Sequence, residues 1–220
     1  MKAAERLNKN ENYIYYSDRK NMPYGNKSYE NLKALAEKNI KFLMKLYPKI
    51  IVLACNTLST NYGEELKNNF SVPIITVTPY ENFSPTEKVL LLCTPLTGKS
   101  GFVEKMKRNN ANLTVYTPKN LAFDIEHNIL KPENVDISEL YPLSYKNFDR
   151  VILGCTHYIL IKKRISALFE NSIVSDTNLI TALKIKEFTA TVDHPNDKGQ
   201  ILFLNDDYSL YKYIYDRFTD

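Results

Sequence analysis

Two of the three cysteines in this 220-residue chain sit in matching surroundings. Cys55 closes the apolar run "KIIVLA" and is followed by Asn56 and Thr57; Cys155 closes "RVILG" and is followed by Thr156 and His157. In a parallel α/β sheet, ligands gather beyond the carboxyl ends of the strands, where the next helix offers unpaired N–H groups. A helix start of that kind is expected to stabilise a thiolate and lower the cysteine pKa, turning a buried thiol into a base or nucleophile at neutral pH. Asn56, Thr57, Thr156 and His157 add donors suited to a carboxylate. Either cysteine alone reads more simply as a small buried apolar residue, which is the expectation for Cys93 in "VLLLCTP". The matched pair points instead to two half-sites facing one another. Inverting a stereocentre by proton transfer needs a base on one face of the carbon and an acid on the other, with the roles exchanged in reverse, and two thiols can fill both. A redox disulfide is the rival chemistry, although no CxxC motif supports it.

Such thiols need a rigid frame. Apolar runs at 12–17, 49–54, 72–77, 88–93, 112–117, 150–154, 172–175 and 200–204 read as strands, and their unbroken apolar character suits burial on both faces. Between them, "SYENLKALAEKNIKFLMKLY" places Leu32, Leu35, Ala36, Ile40, Leu43 and Leu46 at helical spacing behind Ser28, a candidate N-cap. Further helices are expected over 58–69, 100–109, 120–130, 158–169, 177–188 and 207–218. The alternation predicts an α/β fold with mainly parallel sheets. No low-complexity linker divides the chain, so the proline-containing stretch "TPYENFSPTEK" (78–88) is the candidate crossover between two lobes.

Composition narrows the chemistry. The 29 Lys and Arg are scattered among 25 Asp and Glu, for a net charge of +4, which argues against a nucleic-acid stripe. With six glycines and no GxGxxG or GxxxxGK[ST], the usual dinucleotide and phosphate cradles are missing, and no cofactor or metal is expected. The polar N-terminus, the few thiols and apolar runs far shorter than a membrane span predict a soluble cytoplasmic protein with free cysteines.

The segments "DRKNMPYGNKS", "ACNT", "TPLTGKSG" and "GCTHY" stand in the order and strand–helix context of one family, and the chain resembles the cofactor-independent aspartate/glutamate racemase superfamily over nearly its whole length, "VSDTNLITA" (174–182) included. That resemblance implies two pseudo-symmetric α/β lobes, residues 1–79 with 189–220 and residues 80–188, with the amino acid in the cleft between them. It implies a catalytic set of Cys55, Cys155, His157 and Glu126, in which His157 and Glu126 assist the second thiol. Pro23, Tyr24 and Gly25 match the family's substrate loop, and Pro23 would preset its turn. Asn56, Thr57, Thr94, Thr97, Thr156 and His157 match substrate-binding positions. Asp18 is expected to be mainly structural and Asp176 a helix N-cap. His127 and His194 are read as ordinary hydrogen-bonded surface residues.

The implied activity is the interconversion of L- and D-glutamate, which supplies D-glutamate for peptidoglycan; the histidine two places after the second cysteine favours glutamate. An aspartate or other amino-acid racemase of the superfamily, and an amino-acid-binding homologue without catalysis, are the alternatives. The partner is then a small amino acid rather than nucleic acid or membrane, and a homodimer is left open. One departure stands out. The family pattern opens with a strand and turn of the type "FDSGVGG", which has no counterpart here, so Met1 falls within the helix that follows it. The turn's aspartate, expected to serve the first thiol, and its substrate-binding serine are then missing, together with a central strand. Weakened activity is the expectation for the chain as written, whether it is a shortened racemase or a natural homologue.

Overall fold

A computed structural model describes residues 1–80, 82–190 and 199–204. Strands form at all eight apolar runs: β1 Tyr13–Tyr16, β2 Ile51–Leu53, β3 Ile74–Thr76, β4 Val89–Cys93, β5 Leu113–Tyr116, β6 Arg150–Gly154, β7 Ile173–Ser175 and β8 Ile201–Leu204. Every pairing among the described residues is parallel. β1 pairs with β8, β2 with β3, and the third sheet has the order β5-β4-β6-β7. The helices are α1 Lys2–Leu7, α2 Tyr29–Met44, α3 Asn56–Asn69, α4 Pro95–Gly98, α5 Gly101–Asn109, α6 Leu121–His127, α7 Tyr141–Ser144, α8 Lys162–Leu168 and α9 Asn178–Thr189. The helix expected over 207–218 lies outside the described residues, as does His194.

The four-stranded sheet shows why its strands read as continuous apolar runs. Side chains alternate across a strand. Leu90, Leu92, Val151 and Leu153 therefore enter a core shared with Leu121, Ile125, Leu140, Tyr158 and Ile165. Val89, Leu91, Cys93 and Ile152 enter a second core on the opposite face with Val103 and Met106. Cys93 is fully buried there, as expected of a core residue. A third core joins Ile51, Leu53 and Ile74 to Leu32, Ala36 and Ile40 of α2 and to Leu58, Tyr62 and Leu66 of α3. Ser28 caps α2 as its sequence predicts, accepting from the Asn31 N–H. Leu46, the last apolar residue of the expected stripe, lies beyond the helix and is exposed.

Contacts divide the chain into two compact units. The smaller contains residues 1–20 and the described residues from 178 on; there, α1 packs on α9 and β1 pairs with β8. The larger, Asn21–Thr177, holds the other six strands and every candidate site residue except Asp18. In the smaller unit the Asp18 charge adds to burial in raising the Tyr16 phenol.

One local expectation is corrected. The helix expected over 158–169 begins as a 3-10 helix, Thr156–Ile161, before continuing as α8. Thr156, Ile159 and Ile161 are β-branched, and such side chains resist the α-helical turn. The helix after β7 starts at Asn178, and Asp176 Oδ2 accepts from Lys162 Nζ at 2.7 Å.

Candidate functional site

The carboxyl ends of β2, β4 and β6 carry the site. Register pairs Cys93 with Gly154, so Thr94 and Cys155 emerge side by side from adjacent strands. Gly154 is held to glycine by that closeness: a Cβ there would lie 2.7 Å from Leu91 Cδ1 and 3.0 Å from the Leu92 carbonyl oxygen. The loop after β2 is drawn to the loop after β6 by a hydrogen bond from Thr156 Oγ1 to the Ala54 carbonyl, 3.3 Å, one residue from each cysteine. The two thiols are near enough for the charge of Cys155 to raise the pKa of Cys55.

Their surroundings differ. Cys55 occupies the cap position of α3 in extended backbone, φ −147° and ψ 115°. Its sulfur faces the N–H groups of Leu58 and Thr57 and the Thr57 hydroxyl. The expectation that this helix start would depress the pKa is overturned. Burial dominates the amide and hydroxyl donors and, with the nearby Cys155, pushes the Cys55 thiol up to about 11. Cys55 is therefore a protonated thiol at neutral pH. Taking a thiolate out of water costs more here than two amides and a hydroxyl return.

Cys155 is buried and has an ionisable partner. His157 Nδ1 lies 3.8 Å from Cys155 Sγ, and His157 Nε2 lies 3.2 Å from Glu126 Oε2. Burial works to lower the His157 pKa. Hydrogen bonds to Cys155 and Glu126, and their charges, outweigh it and hold the imidazole at about 10. A carboxylate on one ring nitrogen fixes which face the other presents to sulfur. Glu126 is itself buried at the end of α6, beside Ile125 in the core, and so is not the solvated helix charge that a glutamate usually is.

Three predicted substrate hydroxyls meet in a buried triangle. Thr57 Oγ1 and Thr94 Oγ1 are 2.9 Å apart, Thr94 Oγ1 and Thr97 Oγ1 3.0 Å, and Thr97 donates to Thr57 at 3.3 Å. The substrate loop is pressed on the same group. A Cβ on Gly25 would stand 2.5 Å from both Cβ and Cγ2 of Thr94, so only glycine lets the backbone approach so closely. Pro23, at φ −76° and ψ 148°, leads into the short 3-10 turn Tyr24–Asn26. The Tyr24 ring is buried, and its hydroxyl accepts from Asn39 Nδ2 at 3.1 Å. Asn56 Nδ2 donates to the Val77 carbonyl at 3.1 Å, tying the start of α3 to the end of β3.

His127 behaves as an ordinary surface histidine, with Nδ1 donating to the Phe123 carbonyl at 2.9 Å. Sequence reasoning passed over Ser59, whose hydroxyl donates to the Leu53 carbonyl and accepts from the Val77 N–H, locking α3 to both strands. No local pattern marks that serine, because both partners are distant in the chain or set by tertiary packing. Among the described residues, no cluster of three or more His, Cys, Asp or Glu could hold a metal ion, and no helix is long and apolar enough to cross a membrane.

A parallel α/β frame with two neighbouring thiols, one backed by an imidazole and a carboxylate, has the equipment of a two-base proton-transfer enzyme. No family model matches the chain. It is 32% identical to the glutamate racemase of Clostridium botulinum (strain Alaska E43 / Type E3) over 93% of this chain and 85% of that protein. Its structure matches the crystal structure of Thermus thermophilus glutamate racemase in complex with beta-chloro-D-alanine with a TM-score of 0.76 at 25% identity, covering 100% of this chain and 87% of that one. It also shares its fold with Escherichia coli glutamate racemase in complex with L-glutamate and the activator UDP-MurNAc-Ala, at a TM-score of 0.77 and 22% identity over 98% and 88% of the two chains. The chain belongs to the glutamate racemase family.

Proposed function

We propose that this chain interconverts L- and D-glutamate by direct proton transfer between Cα and the thiols of Cys55 and Cys155, in the cytoplasm, supplying D-glutamate for peptidoglycan. The observation that carries the reading is the coupling of the two cysteine loops through Thr156 and Ala54, with Cys155 backed by His157 and Glu126. The lobes assigned from sequence, residues 1–79 with 189–220 and residues 80–188, contribute one thiol each.

In one direction the sulfur of Cys155 takes the α-proton: the Cα–H bond breaks, an S–H bond forms, and negative charge develops on the α-carbon and its carboxylate. Cys55, held as a protonated thiol by its burial, then gives its proton to the opposite face of the same carbon. Sulfur is left as thiol on one side and thiolate on the other, the reverse of the starting state. The starting state is restored either by the reverse reaction on the other enantiomer or by exchange with water. In that exchange the Cys155 thiol gives up its proton, a transfer we assign to His157 3.8 Å away passing its own Nε2 proton to Glu126, and the Cys55 thiolate takes one up. Developing charge on the carboxylate suits donors aimed at it in advance. The start of α3 with Asn56 and Thr57, the hydroxyls of Thr94, Thr97 and Thr156, and the backbone of the Pro23-Tyr24-Gly25 loop are the groups we assign to holding the amino acid.

The two enantiomers have equal free energy in achiral water, so kcat/KM must be the same in both directions at every pH. The inequality of the two loops can show only in kcat and KM separately. The test is to incubate the purified chain with L- or D-glutamate, without added cofactor, and to follow optical rotation and chiral composition. Both enantiomers should reach the same racemic mixture, with aspartate turned over far more slowly. Binding of glutamate with no conversion would establish instead the binding homologue that lacks catalysis.

A further inference from the structure

Glu126 meets His157 only if α6 starts in the right place, and the group that fixes this start comes from another element. α6 is short, and Asn120 at its cap position makes no side-chain capping bond. Instead the carboxylate of Glu139, from the 3-10 turn Ser138–Leu140, reaches across. Its Oε2 accepts from the Lys119 N–H at 3.0 Å and its Oε1 from the Asn120 N–H at 3.4 Å. A carboxylate on the N–H groups entering a helix satisfies donors that the helix leaves open and complements the helix dipole. Glu139 is itself fixed on both sides. Its carbonyl accepts from Tyr116 Oη at 3.2 Å, and the next residue, Leu140, is fully buried in the core that also holds Leu121, Ile125 and Tyr158.

We infer that Glu139 is a positioning residue for the proton relay, setting the start of α6 so that the Glu126 carboxylate reaches His157. From Asn120 to Glu126 is six residues, an axial rise of about 9 Å, so the helix is a short lever between the two carboxylates. The contact it controls has little slack. His157 Nε2 to Glu126 Oε2 is 3.2 Å, already longer than the roughly 2.7–2.9 Å of a strong charge-assisted bond, so a further few tenths of an ångström would take it to the edge of hydrogen-bond range. Glu139 touches neither sulfur nor the threonine hydroxyls, so its loss should act through Glu126.

The inference rests on the relay assigned above, and a double-mutant cycle separates the two. kcat and KM for glutamate would be measured for Glu139→Ala, Glu126→Gln and the double variant, with melting temperatures taken alongside. Glu139→Ala is expected to lower kcat about tenfold with KM within twofold of the parent. On the Glu126→Gln background the same change should cost less than a further twofold. Glu139→Gln, whose amide oxygen still accepts an N–H, should restore part of the loss. If Glu139→Ala melts too low to assay, Glu139→Asp, which keeps the charge but withdraws it by one methylene, carries the cycle. Additive losses, or a rise in KM with kcat unchanged, would overturn the inference and leave the relay standing. A Glu126→Gln variant with full activity would overturn both.

Discussion

The loops after β2 and β6 start alike and end differently. Each brings a cysteine from a parallel strand to a helix start, yet Cys55 meets amides and a threonine hydroxyl while Cys155 meets an imidazole backed by a buried carboxylate. After Cys55 an α-helix begins at once, and the sulfur faces the N–H groups of Leu58 and Thr57 and the Thr57 hydroxyl. After Cys155 the chain winds as a 3-10 helix, His157 lies close to the sulfur, and α6 brings Glu126 to the far ring nitrogen. A helix start is thus not enough to make a thiolate. At Cys55 burial outweighs it and leaves a thiol near 11; at Cys155 an imidazole backed by the Glu126 carboxylate stands 3.8 Å from the sulfur. One sulfur faces amides and a hydroxyl, the other an imidazole that holds its proton to about 10.

The largest effect should come from removing either sulfur. Cys55→Ser and Cys155→Ser should each lower racemisation by about 1,000-fold or more, since a hydroxyl is a far weaker acid–base group than a thiol and general acid–base catalysis is worth about 10²–10⁴. Retained glutamate binding, followed by calorimetry, would place the loss in the chemistry. If one of the two variants keeps turnover, the loops are not partners.

The imidazole comes next. His157→Asn should lower kcat by about 100-fold. In the parent protein His157 should titrate by NMR with a pKa near 10 rather than its ordinary 6.5, keeping its proton at pH 8 and losing it as pH rises through about 10. Glu126→Gln should move that titration downward, because it removes a charge and a hydrogen bond that favour the imidazolium. A histidine titrating near 6.5 would make the Cys155 loop no different in kind from the other.

Smaller effects test the scaffold. Gly25→Ala drives a methyl into Thr94 and should raise KM about tenfold while destabilising the fold by about 1–3 kcal/mol. Ser28→Ala removes the cap of α2, away from both sulfurs. It should cost about 1 kcal/mol and about 2–4 °C in Tm with kcat unchanged.

Much of this arrangement is legible in the amino-acid order because it is local. Continuous apolar runs such as "VLLLC" mark strands buried on both faces, Ser28 marks a helix start, and the repeated small-residue–Cys–polar pattern marks the two loops. Glu126 is visible only through resemblance, since on its own it reads as a solvated helix charge. Ser59 and Glu139 are not visible at all, because their partners lie on other elements. The raised pKa of Cys55 is hidden for the same reason: helix-start donors can be read from sequence neighbours, whereas desolvation is set by everything that packs around the sulfur.

The most direct measurement of two-sided transfer is deuterium incorporation during the first few per cent of turnover in D2O, followed separately from L- and D-glutamate. With one thiol on each face, deuterium should appear at Cα of the inverted product while the remaining substrate keeps protium, from both enantiomers. Deuterium accumulating in the unconverted substrate without inversion would mean that a single group removes and returns the proton on the same face, and would contradict the account.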